Sequence, residues 1–216
     1  MKKFLIPSII TISLLLLSHI NLSAQDFVAG PKTGISFTQV DGDSYAGFNK
    51  IGFNLGGFVY RRLSKRWDVQ FEIEYLQKGS KKTPDVEIGD YNDYQMKLGY
   101  IQFPILARYK IKKFSLEGGL SIGALIHEEE WVDGAEIPED KKVSFQTMEY
   151  ATIFGANYNI TDRLWVNARF SYSINRIRIP YDGDIPIYNP HWDKRKAGQY
   201  NDIIVVSVYY ALNKLL

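Results

Sequence analysis

Residues 100–126 carry the sequence YIQFPILARYKIKKFSLEGGLSIGALI, in which apolar and polar side chains alternate on either side of Lys112 and Lys113. Alternation with a period of two residues sends successive side chains to opposite faces of a β-strand. The stretch therefore predicts two antiparallel strands joined by a tight turn, with one apolar face and one polar face. In this register Arg108 lies opposite Glu117 on the polar face.

Similar alternation recurs along the rest of the chain and predicts six further strands. Short turns follow the second, fourth and sixth strands, whereas long polar segments, including residues 78–97 and 127–146, follow the others. The last strand is apolar on both faces, so periodicity leaves its register open. The eight predicted strands span residues 30–38, 51–61, 67–77, 100–111, 114–126, 150–160, 164–175 and 200–212.

The connections and the aromatic residues indicate a barrel that crosses a membrane. Bacterial outer-membrane barrels have even strand numbers, short periplasmic turns and long extracellular loops. We predict an all-β fold, an eight-stranded antiparallel up-and-down transmembrane β-barrel with both termini in the periplasm. The alternative is a soluble lipocalin-like barrel, which shows the same alternation but buries its apolar face. The aromatic residues beside the short turns, which suggest an interfacial girdle, are Trp67, Tyr109, Phe114 and Tyr158.

The composition narrows the classes of function. The chain has 216 residues, enough for one domain, and its 26 basic and 24 acidic residues give no net charge that favours nucleic acid. It contains no cysteine. This excludes disulfides, thiolate metal sites, thiol catalysis and the lipidated cysteine of a lipoprotein.

The N-terminus has the pattern of a secretory signal. Two lysines precede an apolar run over residues 4–17, and the small residues Ser23 and Ala24 mark an exit site. A permanent membrane anchor is the alternative, but the apolar run is shorter than a spanning helix requires. We predict a signal peptide at residues 1–24 and an outer-membrane β-barrel domain at residues 25–216.

Several short motifs resemble one known family. These are YIQFPIL at residues 100–106, EIEYLQKG at residues 72–79, and the GISF and GGF patches that contain Gly34 and Gly57. They are similar to the PorT-like outer-membrane β-barrel proteins of Bacteroidota. The resemblance implies an eight-stranded barrel of the OmpX-like kind without catalytic residues. Since one group of that family is linked to protein secretion, it also implies a role as an accessory component of a secretion apparatus.

Charged residues on the polar faces form the candidate site. An eight-stranded barrel leaves little empty space, so these side chains are expected to fill the lumen as ion pairs. We predict that Arg108 pairs with Glu117 across the hairpin. The alternative is a path for protons or ions, or a ligand site. The predicted residues of this lumen charge network are Lys32, Glu72, Glu74, Arg108, Glu117 and Arg169.

The predicted extracellular loops carry two charged clusters. Basic residues 194–196 are candidates for contact with lipopolysaccharide. His127 and His191 lie where an outer-membrane enzyme would place its site, but no known catalytic motif surrounds them. An acidic segment is expected to be solvated, with a cation site as the alternative, although its spacing matches no known metal motif. Its residues are Glu128, Glu129, Glu130, Asp133, Glu136, Glu139 and Asp140.

These observations predict a non-enzymatic protein of the Gram-negative outer membrane, without cofactor or metal. Its external loops would serve for binding or for support of the envelope. Its partners would be outer-membrane lipid, lipopolysaccharide and other envelope proteins, and not nucleic acid. An outer-membrane enzyme and a soluble lipocalin-like binder remain the weaker alternatives.

Overall fold

The computed structural model describes residues 27–43, 45, 47–138, 142–178 and 198–213, which form antiparallel strands and a short 3-10 helix, Val86–Ile88. Within this part of the chain eight strands are long, and a ninth, β6, contains two residues. The strands are β1 (Phe27–Asp41), β2 (Lys50–Arg62), β3 (Trp67–Lys82), β4 (Tyr94–Ile111), β5 (Phe114–Val132), β6 (Ala135–Glu136), β7 (Met148–Asn159), β8 (Leu164–Ser173) and β9 (Tyr200–Tyr210).

The long strands close into a barrel. Their order around the ring is β1-β2-β3-β4-β5-β7-β8-β9, and β9 pairs again with β1. The short strand β6 folds back on the end of β5. Because each long strand pairs on both sides, its backbone hydrogen bonds are satisfied within the sheet, as a protein in lipid requires. The predicted eight-stranded antiparallel up-and-down barrel is confirmed.

The barrel has a short-turn end and a long-loop end. Residues 63–66, 112–113 and 160–163 form the connections at the short-turn end. The predicted loops over residues 78–97 and 127–146 are wrong in part, because β3, β4 and β5 extend into them. These extensions lie beyond the apolar band of the barrel, so their outer face no longer needs apolar residues. The alternation that marks a strand in lipid is therefore lost there.

A β-bulge in β5 changes which side chains point inward. Tyr100 pairs with Leu125 and Gly99 pairs with His127, so Ile126 has no partner in β4. The extra residue reverses the alternation of the strand. As a result, the acidic side chains that follow the bulge do not all face water.

Apolar side chains cover the outside of the barrel. Ile51 and Leu55 of β2 and Phe71 of β3 are 63%, 58% and 50% exposed, whereas Asn54 and Glu72 on the opposite face of these two strands are buried. A soluble barrel has the reverse arrangement. The sidedness is therefore that of a barrel in lipid, and the lipocalin-like alternative is wrong.

Pairing with β1 and β8 sets the register of β9, which the sequence left open. Ile203 and Val205 are buried inside the barrel, whereas Ile204 and Val206 are 37% and 41% exposed on the outside. Inside the lumen, Ile203 and Val205 form a small apolar cluster with Leu76 of β3. This cluster explains why the inner face of β9 is apolar as well as its outer face.

Part of the predicted organisation lies outside the described residues. This applies to the signal peptide at residues 1–24, to the basic residues 194–196, and to His191, Glu139 and Asp140. Among the described residues, no helix has the length and apolar character needed to span a membrane.

Candidate functional site

The candidate site is a charge network in the lumen of the barrel. The six predicted residues come from β1, β3, β4, β5 and β8, and alternation along these strands turns all of them inward. Each is almost completely buried. Their exposed fractions are 2% for Lys32, 5% for Glu72, 4% for Glu74, 3% for Arg108, 5% for Glu117 and 4% for Arg169.

Glu72 is the centre of the network. Its Oε2 atom lies 2.6 Å from Lys32 Nζ and 2.9 Å from Arg169 Nη1, while its Oε1 atom accepts a hydrogen bond of 2.9 Å from Arg169 Nη2. The guanidinium therefore binds the carboxylate through two parallel bonds, which is the strongest geometry for such a pair. Tyr209 donates its hydroxyl hydrogen to the same Oε1 atom over 3.1 Å.

The Arg169–Glu72 pair spans the diameter of the lumen. β8 and β3, which carry these residues, lie four positions apart in the closed ring of eight strands. Lys32 also contacts Glu74, with 2.7 Å between Nζ and Oε2. One side of the barrel is thus tied to the other by charge-assisted hydrogen bonds through its centre.

Glu117 extends the network towards β5. Arg169 Nε lies 2.8 Å from its Oε1 atom, so one guanidinium serves both Glu72 and Glu117. The amides of Asn157 and Asn167 donate to the same carboxylate over 2.9 and 3.0 Å. These bonds satisfy a buried carboxylate that would otherwise carry a large desolvation cost.

The predicted ion pair between Arg108 and Glu117 is wrong. The two residues face each other in the β4–β5 register, as the sequence predicts. However, the Arg108 guanidinium donates to Gln70 and lies 5.3 Å from the centre of the Trp165 ring. Glu117 is already occupied by Arg169, so Arg108 turns towards the short-turn end. Gln70 donates in turn to Glu72, which links Arg108 to the network indirectly.

Two further buried ion pairs, which were not predicted from the sequence, lie nearer the long-loop end. Lys78 Nζ lies 2.6 Å from Glu149 Oε2, and Arg178 Nη2 lies 2.7 Å from Glu130 Oε2. Lys78 and Glu130 fall in segments that were predicted as loops. Continuing the alternation of β3 past Leu76 would have placed Lys78 inside the barrel.

Apolar clusters separate the charged layers along the lumen. At the short-turn end, Trp165 stacks on Tyr209 with ring centres 5.3 Å apart and packs against Phe58. At the long-loop end, a larger cluster surrounds the Arg178–Glu130 pair. Its buried members are Val40, Tyr94, Met96, Leu98, Tyr100 and Ile177. The lumen is therefore layered, with apolar side chains between its charged pairs.

The predicted acidic loop is mostly strand. Glu128, Glu129 and Glu130 belong to β5 and Glu136 belongs to β6. On the outer face, Glu129 contacts Lys97 over 3.0 Å and His127 over 3.1 Å. In the described part of the chain, no group of three acidic, histidine or cysteine side chains is arranged to hold a metal ion.

Asp43 is a buried carboxyl group in the connection between β1 and β2, outside the membrane-spanning segments. It has no exposed surface, and its Oδ1 atom accepts a hydrogen bond of 2.8 Å from the Tyr45 amide. Burial raises the pKa of Asp43 to about 6, because the charged form is deprived of water. This group therefore titrates in a range where an ordinary aspartate is fully ionised.

The closed sheet, the outward apolar face and the buried charges define an outer-membrane β-barrel. Residues 23–178 match the model of the family described as outer membrane protein beta-barrel domain. The chain belongs to this family, and the protein is located in the outer membrane.

Solved structures similar to this chain are outer-membrane and surface proteins. Ail, the attachment invasion locus protein of Yersinia pestis, is 15% identical, with a TM-score of 0.48 over 87% of this chain and 99% of Ail. Ail has also been solved in complex with the heparin analogue sucrose octasulfate. Neisserial surface protein A is 14% identical, with a TM-score of 0.46 over 86% of this chain and 96% of its own. No curated protein matches the chain.

Proposed function

We propose that the protein is a non-enzymatic, non-conducting barrel that presents its long-loop end to partners at the cell surface. The observation that carries this proposal is the Arg169–Glu72 pair, which bridges the lumen between opposite strands. With the aromatic cluster on one side and the Lys78–Glu149 pair on the other, it leaves the interior filled midway along the strands. A filled lumen supports a role as an anchor rather than as a pore.

The long-loop end supports a role in binding. β3, β4 and β5 project beyond the apolar band and carry exposed polar and aromatic side chains there. Lys97, Glu129 and Trp131 form a contact group on the outer face of β4 and β5. Tyr91, in the connection between β3 and β4, is 72% exposed. A stiff sheet that carries such groups away from the lipid can bind a partner without becoming ordered first.

Conductance in planar lipid bilayers tests the proposal. The purified, folded protein should give no steady current steps under an applied voltage, while a general porin in the same membrane serves as the positive control. Regular, reproducible steps from the folded protein would contradict a filled lumen. Folding is checked by migration on a gel before and after heating, because a closed barrel migrates differently from its unfolded chain.

Export and orientation are part of the same proposal. Cleavage after Ala24 releases residues 25–216, and both termini lie in the periplasm with the short turns. The alternation of short turns and long loops supports this orientation. Intact-mass measurement of the protein from outer membranes should give the mass of a chain that begins at Gln25.

The partners proposed are outer-membrane lipid, lipopolysaccharide and envelope proteins. The basic residues 194–196 support contact with lipopolysaccharide, and the motifs at residues 72–79 and 100–106 support a PorT-like identity with a role in secretion. Crosslinking in intact cells followed by purification of the barrel distinguishes these partners. Enrichment of secretion components supports the accessory role, whereas enrichment of lipopolysaccharide alone supports a surface-binding barrel.

A further inference from the structure

The short-turn end of the barrel contains a cavity that the proposed function does not use. Its volume is about 600 Å³, which is within the range of sites for small molecules. It is formed by the ends of β2 and β4, the β4–β5 turn and the β7–β8 turn. The charged residues that line it are Arg62, Arg108, Lys110, Lys112, Lys113 and Asp162.

Positive charge predominates in the lining, which has five basic side chains and one acidic side chain, that of Asp162. Lys110 is paired with Asp68, with 2.7 Å between Nζ and Oδ2. Within the described part of the chain, Arg62, Lys112 and Lys113 form no ion pair, and Arg108 donates to the neutral side chain of Gln70. Positive charges at the mouth of a concave, low-dielectric site concentrate anions there.

The inner wall of the cavity presents hydrogen-bond donors. Trp165 and Arg108 both line it and are each 3% exposed. Neither the Trp165 Nε1–H nor the Arg108 Nε–H has an acceptor among the described residues. A buried donor without an acceptor is unfavourable, so these two groups favour a ligand that brings acceptor atoms into the cavity.

We propose that this cavity binds an anionic phosphate group. Such a ligand presents mainly acceptor oxygens, which matches walls that offer guanidinium, ammonium and indole donors. Guanidinium groups bind phosphate oxygens through paired hydrogen bonds, and lysine ammonium groups add point charges. The phosphate group belongs either to a small soluble compound or to the headgroup of a neighbouring lipid, because the cavity opens at the end of the barrel.

Calorimetric titration with pyrophosphate tests the proposal. The mature chain is placed in nanodiscs of phosphatidylcholine, and tryptophan emission gives a second readout because Trp165 lines the cavity. We expect one binding site. The double variant Arg62→Gln/Lys113→Gln should bind at least about tenfold more weakly, since two charge-assisted contacts are lost. Lys65→Gln is the control, because Lys65 is an exposed cation at the same end that does not line the cavity.

A second set of nanodiscs with phosphatidylglycerol separates the two sources of phosphate. A weaker apparent affinity for pyrophosphate in these discs identifies the lipid headgroup as the occupant, whereas an unchanged affinity identifies a soluble compound. Absence of binding in phosphatidylcholine discs would overturn the proposal. An equal loss of affinity in Lys65→Gln would also overturn the proposal. The variants are compared only after gel migration shows that each has folded.

Discussion

Glu72 illustrates how a buried charge is retained in the lumen. Its carboxylate has two cationic partners, Lys32 and Arg169, and accepts further hydrogen bonds from Tyr209 and Gln70. Removal from water is costly for any carboxylate, and the cost is offset only when each lone pair finds a donor. Loss of Glu72 would leave two buried cations with reduced compensation, so the network depends on this residue more than on any exposed charge.

The first prediction concerns this residue. Glu72→Ala should lower the free energy of unfolding by about 3–5 kcal/mol, because breaking a buried ion pair leaves its partners uncompensated. Urea titration of the protein in lipid vesicles, followed by tryptophan fluorescence, measures the change. Glu87→Ala is the control, since Glu87 is exposed in the 3-10 helix and its loss should change stability by less than about 0.5 kcal/mol. Equal stability of both variants would contradict a central role for Glu72.

Arg108 shows the limit of what the sequence predicts about the site. Its inward direction and its position opposite Glu117 follow from alternation and a two-residue turn. Its actual partner, Gln70, lies on β3, and Glu117 is bound by Arg169 from β8. Contacts across the lumen depend on how the ring closes and on the stagger between strands. Alternation within one hairpin carries no information about either.

The second prediction concerns Asp43 and pH. Its pKa is raised from 3.8 to about 6 in the folded protein, so the folded state holds a proton that the unfolded state has lost between these values. Protonated Asp43 therefore makes its full contribution to the free energy of unfolding below pH 3.8. This contribution, about 3 kcal/mol at most, is lost as the pH rises through about 6. Asp43→Asn removes this loss.

The measurement is the free energy of unfolding of both proteins between pH 4 and pH 7.5. Asp43→Asn should become more stable relative to the unmodified protein as pH increases, because asparagine resembles the protonated acid. Carbon NMR of the Asp43 carboxyl group provides an independent titration midpoint. A midpoint near 4, together with parallel pH profiles, would show that Asp43 is solvated.

At the scale of a strand, β3 has one part that the alternation of polar and apolar residues predicts and one part that it does not. From Trp67 to Glu74 the inner and outer faces differ sharply in polarity, and the sequence alone predicts this part. Beyond Leu76 the strand continues as Lys78 and Ser80 inside the barrel, where the residues read as a polar loop. The difference is physical, because lipid requires apolar outer side chains and water does not.

The third prediction tests packing between β4 and β5. A Cβ atom added to Gly119 would lie 2.0 Å from the carbonyl oxygen of Ile105, which is closer than van der Waals contact permits. A Cβ atom on Gly118 would meet no atom nearer than 3.7 Å. Gly119→Ala should therefore destabilise the barrel by at least about 1–3 kcal/mol, while Gly118→Ala should be close to neutral.

These two adjacent glycines form a matched pair with the same chemical change in the same strand. Urea unfolding in vesicles and the yield of the folded form on a gel compare them directly. If Gly118→Ala were as damaging as Gly119→Ala, the effect would come from the general properties of glycine in a strand. The close approach of β4 and β5 would then not be its cause.

At the scale of the whole molecule, the closed ring and the filled lumen act together. Each long strand is hydrogen-bonded on both sides, and the Arg169–Glu72 and Lys78–Glu149 pairs join strands that are not neighbours in the ring. The barrel is therefore braced across its interior as well as around its wall. Such a body can hold different surfaces at its two ends, with a basic cavity at one end and projecting strands at the other.

The fourth prediction assigns these two ends to the two sides of the outer membrane. The chain has no cysteine, so single cysteines can be introduced and labelled without background. Tyr91→Cys lies in the long connection between β3 and β4, where Tyr91 is 72% exposed. Lys65→Cys lies in the short turn between β2 and β3 and is likewise exposed. If the long loops face outward, a membrane-impermeant maleimide should label only the first variant in intact cells.

Both variants should be labelled after the cells are broken, which shows that each thiol is accessible in the folded protein. Labelling of Lys65→Cys alone in intact cells would reverse the orientation and place the basic cavity at the cell surface. The filled lumen would be unaffected by that result, because it depends on side chains midway along the strands. The surface offered to partners would instead be the short-turn end, and the proposed role of the projecting strands in binding would fail.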